Sequence, residues 1–389
     1  MRQRLAGSFA LALVATALVA PRPASAIPAF ARKYKFSCTT CHASFPKLKA
    51  FGEEFGARGY RLEDAAQEPA RATLDVGDDL LQLPREFPIA MRFDGFAAWN
   101  SIGSAHTDFE APWAVKFLSG GPVADTVSYY LYFIIEQGEI VGIEDAFLQF
   151  NRLLGLPVDL VFGQFQLCDP LFKRELRLER LDYEILAVRV GASPVNLTYD
   201  RGIMLATGTH GLDVVLQVVN GNGLAVGAPG LAFDSDPYKN VALRIAGQLG
   251  PVRIGAYGYY GKERQSSVVN ETFYVGPDLV VDVGELFQVS AIYLERGDTN
   301  PFFVAAPGPR TTTRGGFAEL LSWPGGYNGR WVLSLLYNRV ASDDLSARRN
   351  SGALGASWLL RRNVRLVAEA AQDFEQTATR VSVGTVLAF

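Results

Sequence analysis

From Ile89 to the carboxyl terminus, apolar residues alternate with polar or small ones in segments of roughly ten, each bounded by Gly, Pro, Asn or Asp. Such segments begin near Ile89, Ala111, Thr126, Val141, Pro157, Ile203, Gly211, Asn240, Val252, Leu286, Gly315, Arg330, Ser351, Val364 and Thr379, and Asp182 to Val190 supplies one more. About sixteen strands over residues 87–389 suit an even-stranded antiparallel barrel. Gln248-Leu249-Gly250-Pro251 and Arg361-Arg362-Asn363 read as tight turns, whereas Asn220 to Asn240, Glu263 to Asp282 and Asp298 to Arg314 read as long polar loops. In the last segment Val381, Val383, Thr385, Leu387 and Phe389 share one face.

The period changes at the amino-terminal end. Phe45-Pro46 opens a predicted helix in which Leu48, Phe51 and Phe55 recur at helical spacing, Lys47, Lys49, Glu53 and Glu54 take other faces, and Gly59 closes it. The apolar stripe serves as a lid over a bound group or as an ordinary core face. Leu83 to Pro88 reads as a linker, so residues 27–86 form a small helical module ahead of the barrel. Before it, Arg2 and Arg4, the apolar run Ala6 to Ala20 and the small residues Ala24-Ser25-Ala26 make a secretory signal peptide, residues 1–26.

Composition narrows the class. The chain is 49% hydrophobic and 12% aromatic with 38 glycines, yet past the leader no apolar run approaches the roughly 20 residues that a spanning helix needs. Two architectures accommodate this: a large soluble β-protein such as a sandwich, or a transmembrane barrel that puts apolar residues on every second, lipid-facing position. Trp99, Trp113, Trp323, Trp331 and Trp358 fall near segment ends, where a membrane girdle requires aromatics, and this favours the barrel. The leader holds three arginines and no acid, leaving 34 basic against 40 acidic residues, about −6. Without a basic surplus, nucleic acid is not an expected partner.

The module contains Cys38-Thr39-Thr40-Cys41-His42, the C-x-x-C-H spacing of c-type haem attachment. Two thiols at this spacing reach the two vinyl groups on one edge of a haem, and the next residue falls under the iron as axial ligand. A redox pair or half of a zinc site shares the C-x-x-C spacing. A zinc site needs further ligands, and only Cys168, His106 and His210 remain. Export also suits covalent haem, which is attached outside the bacterial cytoplasm. One haem c on Cys38 and Cys41, with His42 on the iron, is the expected cofactor. About sixty residues is short for wrapping a haem, so another part of the chain should supply the missing wall. No methionine lies between His42 and Met91, so the sixth iron position is filled from the barrel, by another group, or by nothing.

The run from Gly163 to Leu176, continued by Arg177, Glu179, Arg180 and Asp182, breaks the strand rhythm with charges of alternating sign. It reads either as a solvated loop or as a loop folded into the lumen, where it would narrow the pore and meet the haem module. Cys168 reads as an inert thiol and His106 and His210 as surface residues, while Met91 and Met204 could face lumen or lipid. Phosphate loops, hydrolase elbows and paired catalytic carboxylates are absent from the sequence, so no catalytic residue is assigned.

These residues resemble the outer-membrane fused monohaem cytochrome c–porins, best known from bacteria that oxidise extracellular ferrous iron. The likeness is carried by Pro28-Ala29-Phe30-Ala31-Arg32 ahead of the haem motif, Phe45-Pro46, Leu48, Phe51-Gly52 and Gly59-Tyr60. In the barrel it continues with Glu144-Asp145-Ala146-Phe147, Gly163-Gln164-Phe165-Gln166, Asp169 to Leu176, Leu197 to Gly202 and Val219 to Gly223. The terminal Phe389 resembles the assembly signal of outer-membrane proteins. The resemblance implies a barrel of about sixteen strands in the bacterial outer membrane, a haem plug in its lumen, and electrons passing between an extracellular donor such as Fe(II) and a periplasmic cytochrome or other carrier. As an enzyme the chain would be an electron-transfer protein with Fe(II)-oxidising activity. A haem-plugged porin passing a solute, and electron export to an extracellular acceptor, are the alternatives.

Overall fold

Strand alternation in this chain is the reverse of a soluble protein's. In the segment Asn240–Leu249, Val241, Leu243 and Ile245 are exposed while Asn240, Ala242, Arg244 and Ala246 are buried. Arg244 meets Asp278 through two hydrogen bonds of 3.0 and 2.6 Å on the buried side. A sheet with charges inside and aliphatics outside is satisfied only when it closes on a polar lumen and faces an apolar medium.

The computed structural model describes residues 29–62, 73–74, 76–78, 80–81, 83–84, 88–209, 211–224, 233–234, 236–305 and 308–389. The leader, much of the segment between module and barrel, and His210 lie outside the described residues. The module consists of α1 (Ala29–Tyr34), α2 (Cys38–Cys41), a ribbon of β1 (His42–Ser44) and β2 (Lys47–Leu48), α3 (Ala50–Ala57), and a second ribbon of β3 (Thr73–Leu74) and β4 (Leu83–Pro84). Leu83-Pro84, expected to be linker, thus pairs as a short strand.

Sixteen antiparallel strands follow: β5 (Ile89–Asn100), β6 (Thr107–Pro122), β7 (Val127–Glu136), β8 (Glu139–Phe150), β9 (Asp159–Gln166), β10 (Tyr199–Thr209), β11 (Leu212–Val219), β12 (Asn240–Leu249), β13 (Val252–Gln265), β14 (Val268–Val283), β15 (Phe287–Asp298), β16 (Thr311–Ser322), β17 (Trp331–Ser342), β18 (Arg349–Arg361), β19 (Val364–Asp373) and β20 (Ala378–Ala388). Each pairs with the next in sequence, and β20 pairs with β5 to close the ring. Among the described residues no helix is long and apolar enough to cross a membrane.

The strand count and both tight turns follow the sequence pattern, with two corrections. Val268–Val283 is a strand, although Glu263 to Asp282 reads as a loop. Its Gly276-Pro277 pair looks like a turn, but those two residues fall in a gap of the β14–β15 ladder, where proline's missing N–H is tolerated. Asp182 to Val190 is not a strand. It belongs to residues 167–198, which fold into the lumen and contain the single turn α4 (Glu184–Ala187). Leu167, Leu171, Ile185, Leu186, Val190 and Leu197 pack there against inward side chains of β11 to β17, including Tyr257, Leu294, Phe317 and Leu336.

Two of the five tryptophans also depart from expectation. Trp99 and Trp331 are exposed on the outer face, and Trp331 lies opposite Trp358. Trp113 packs in the lumen beside Arg180, and Trp323, 1% exposed, faces the module. Nearness to a strand end does not reveal which side of the wall a residue takes.

Candidate functional site

Ser37 caps α2 by accepting a hydrogen bond from the Thr39 N–H at 3.4 Å. The single turn it starts places Cys38 and Cys41, three residues apart, on one face. Both thiols are free and partly exposed, and burial raises both above the usual thiol range. His42 follows as the chain turns into β1. Its Nδ1 lies 2.9 Å from the Pro46 carbonyl oxygen. A carbonyl only accepts, so the ring donates through Nδ1, and Nε2 keeps its lone pair. Burial holds the imidazole below its usual range, hence neutral at pH 7. A neutral ring with one nitrogen committed to backbone is the form an iron ligand takes.

Phe45-Pro46 does not open a helix as expected. It forms the tip of the β1–β2 ribbon, and α3 begins at Ala50. That shift allows Pro46 to present its carbonyl to His42. Of the stripe only Phe55 is core: 5% exposed, it lies edge-on to Phe30 and Tyr34 at 5.4 and 5.2 Å, whereas Leu48 is half-buried and Phe51 is exposed. Gly59, at φ +67°, ends α3 as expected, with its N–H on the Gly56 carbonyl and that of Tyr60 on Phe55.

The module sits in one mouth of the barrel, at the rim where Met91 and Phe389 join the two ends of the wall. Ser44 accepts from Trp323 Nε1 at 3.2 Å, and Ala43 packs with Leu321, Trp323 and Val332. Phe45 packs against Phe96, Val367 and Val386, with the Arg92 guanidinium 5.7 Å from its ring centre. Lys47 approaches Glu319 at 3.8 Å and Glu53 approaches Arg253 at 3.6 Å. Tyr60 stacks on Tyr130 at 5.5 Å, and Gln149 donates to the Ala57 carbonyl. These contacts fall on β5, β7, β8, β13, β16, β17, β19 and β20, so the barrel holds the module from several sides.

Cys38, His42 and Phe45 border a cleft of about 170 Å³ that Leu359 and Arg362 of the barrel complete. The donor set fits haem c: two thiols on one face and a neutral, oriented imidazole. The cleft is a shallow one on one side of the motif, so it accounts for a grip on one edge rather than an enclosure.

The remaining sequence candidates stand apart from this site. Cys168 is fully buried in the inward loop, its Sγ 3.6 Å from Gln166 Oε1. His106 is exposed at the other rim beside Trp99. Met204 turns inward, with Gln217 Nε2 3.7 Å from its sulfur, and Met91 takes the outward parity of β5. Three contributors escape sequence reading: the Pro46 carbonyl, Ser44 with Trp323, and Gly52, at which any Cβ would collide with the Cys41 carbonyl. Only Gly52 carried a signal, as a glycine in the middle of an apolar helix.

No family model matches the chain, and no curated protein matches it. Solved structures do. Salmonella typhi OmpF in complex with daunomycin is 10% identical with a TM-score of 0.55, over 77% of this chain and 97% of that one. The in-vitro-folded trimer form of Vibrio cholerae OmpT is 9% identical with a TM-score of 0.54, over 78% and 99%. Pseudomonas putida OprB at high pH is 9% identical with a TM-score of 0.52, over 78% and 94%. The fold is thus the closed sixteen-stranded barrel of outer-membrane porins.

Proposed function

We propose that this chain is an outer-membrane electron conduit of the fused cytochrome–porin kind, with one haem c bound through Cys38 and Cys41, ligated by His42, and held in the periplasmic mouth. Electrons would pass between an extracellular donor such as Fe(II) and a periplasmic cytochrome or similar carrier. The observation that carries this reading is the placement of the C-x-x-C-H turn inside the ring of strands, gripped by Trp323, Phe96 and Glu319, rather than on an outlying tether. The outward aliphatic face supports the membrane setting, since exposed Val241, Leu243 and Ile245 need an apolar medium. Haem iron, when bound, supplies one-electron exchange between ferrous and ferric states. The chain's part is positional: Pro46 fixes the His42 ring, Gly52 lets α3 close over Cys41, and the rim contacts fix the depth of the motif.

Reconstitution in liposomes tests this. External ferrous iron should reduce an enclosed acceptor, and Cys41→Ala should stop it; equal rates in the two proteins overturn the reading. Export to an extracellular acceptor would use the same path in reverse, and the midpoint potential separates the two directions. A second reading, a solute channel with the module as plug, is favoured by the porin-type barrel itself. Steady single-channel conductance that is indifferent to haem oxidation state would select it.

A further inference from the structure

Between the module and the inward loop lies a small polar chamber. Strands β5, β6, β7, β19 and β20 wall it on one side and residues 175–180 of the loop on the other. Five cations line it, and four of them have acidic partners. Arg92 meets Asp94 through two hydrogen bonds of 2.8 and 2.7 Å, Lys116 meets Glu175 at 2.7 Å, Arg177 meets Asp182 at 3.6 Å, and Arg180 pairs with Glu110.

Arg365 differs. It is 2% exposed, and its Nε and Nη1 are buried without a hydrogen-bond partner among the described residues. Arg180 leaves Nε and Nη1 unmet as well, its guanidinium lying 4.2 Å from the ring centres of both Phe96 and Trp113. Nearby acids offer Arg365 no relief. Glu369 accepts from the Arg180 backbone N–H at 2.7 Å and from Arg380 at 3.3 Å. Glu179 is pushed up to about 8 by burial and by Glu319, and so stays largely protonated. A buried guanidinium with unmet N–H groups is strongly unfavourable unless something accepts from it, and its planar fork matches an oxyanion.

We infer that this chamber is an oxyanion-binding site, taking a phosphate- or carboxylate-type anion on Arg365 and Arg180. A free anion and a carboxylate arm of the module's own haem share this chemistry. The second source lies close by, because Phe45, three residues from His42, packs on Phe96, Val367 and Val386 of the chamber wall. The inference does not rest on the electron-transfer reading and survives its failure.

The test uses the full chain in detergent, both haem-loaded and as the haem-free Cys38→Ala/Cys41→Ala protein. Each is titrated with inorganic phosphate while the total tryptophan fluorescence is followed, and crystals are soaked in selenate for anomalous scattering. Saturable phosphate binding, weakened at least tenfold in Arg365→Gln, with a selenate peak at Arg365, is the expected result. Binding in both forms identifies a free anion. Binding only in the haem-free form, with porphyrin density reaching Arg365 in the loaded one, identifies the haem carboxylate. No binding in either form without such density, or equal affinity in Arg365→Gln, overturns the inference. Arg365→Gln removes an unpaired buried charge and should fold. Should it fail to, Arg180→Gln carries the same comparison.

Discussion

At Gly52 the helix α3 passes so close over the Cys41 carbonyl that a single methyl group would have no room. Gly52→Ala should therefore push α3 off the attachment turn, with a penalty of about 1–3 kcal/mol typical of overpacking. Purified G52A is expected to carry less covalent haem per chain by absorbance, while the barrel keeps its heat-modifiable gel migration; full haem content would contradict the packing argument. Glu179 offers a second residue-scale test. Its carboxyl, raised to about 8 by burial and Glu319, has a folded value far above its unfolded one. The neutral form is the one the fold favours, so its contribution is fully present below about pH 4 and is lost as pH rises towards 8, by at most about 1.4 kcal/mol per unit. Glu184 and Asp169, raised to about 7 and about 6 chiefly by burial, act in the same direction. Urea midpoints at pH 5, 7 and 9 should fall with pH, and Glu179→Gln should lessen the slope; parallel profiles would count against it. The proposed attachment residues stand out in the sequence because Cys38, Cys41 and His42 are neighbours, and the structure shows that one helical turn fixes their geometry. The groups that complete the site, Trp323 and Glu319, lie far along the chain, and no local pattern ties them to it.

At the scale of elements, periodicity serves well wherever a strand alternates cleanly, as β12 and β20 do. It fails where local signals conflict with the ladder. Gly276-Pro277 imitates a turn inside β14, and the apolar-polar pattern from Asp182 to Val190 imitates a strand in what is a lumen loop. Long-range packing decides the second case. Ile185 and Leu186 are wholly buried, and the Tyr183 ring stacks on Phe317 at 4.0 Å, its hydroxyl donating to Glu319. The loop is thus held to β16 and β17 by an apolar core that sequence shows only as a few scattered aliphatics. Ile185→Ala should lower stability by about 2–5 kcal/mol through lost burial and a residual cavity. The urea midpoint of the full chain measures this, and limited proteolysis within residues 167–198 should quicken in step. A change below about 0.5 kcal/mol would mean that the loop is not held by this core.

The whole molecule closes its lumen twice, and the two closures differ in coverage. The apolar core of the inward loop packs against β11 to β17, and Glu175 and Arg180 reach β5, β6, β7 and β19 across a chamber left unfilled, whereas the module touches β5, β7, β8, β13, β16, β17, β19 and β20 at the rim. Removing the module should then open a path through the chamber, while trimming the loop with the module in place should not. In planar bilayers the intact chain is expected to show little steady conductance. A chain lacking residues 27–86 should show a clear rise, and one lacking residues 170–195 should remain near the intact level. The wall of the opened path carries five cations against Asp94, Glu136, Glu175 and a largely protonated Glu179, so passage should favour anions. A reversal potential measured across a tenfold salt gradient should shift towards the chloride value in the module-deleted protein, and Arg365→Gln in that background should reduce the shift. A cation-selective opening would show that the acids, not the unpartnered guanidinium, set the field in this chamber.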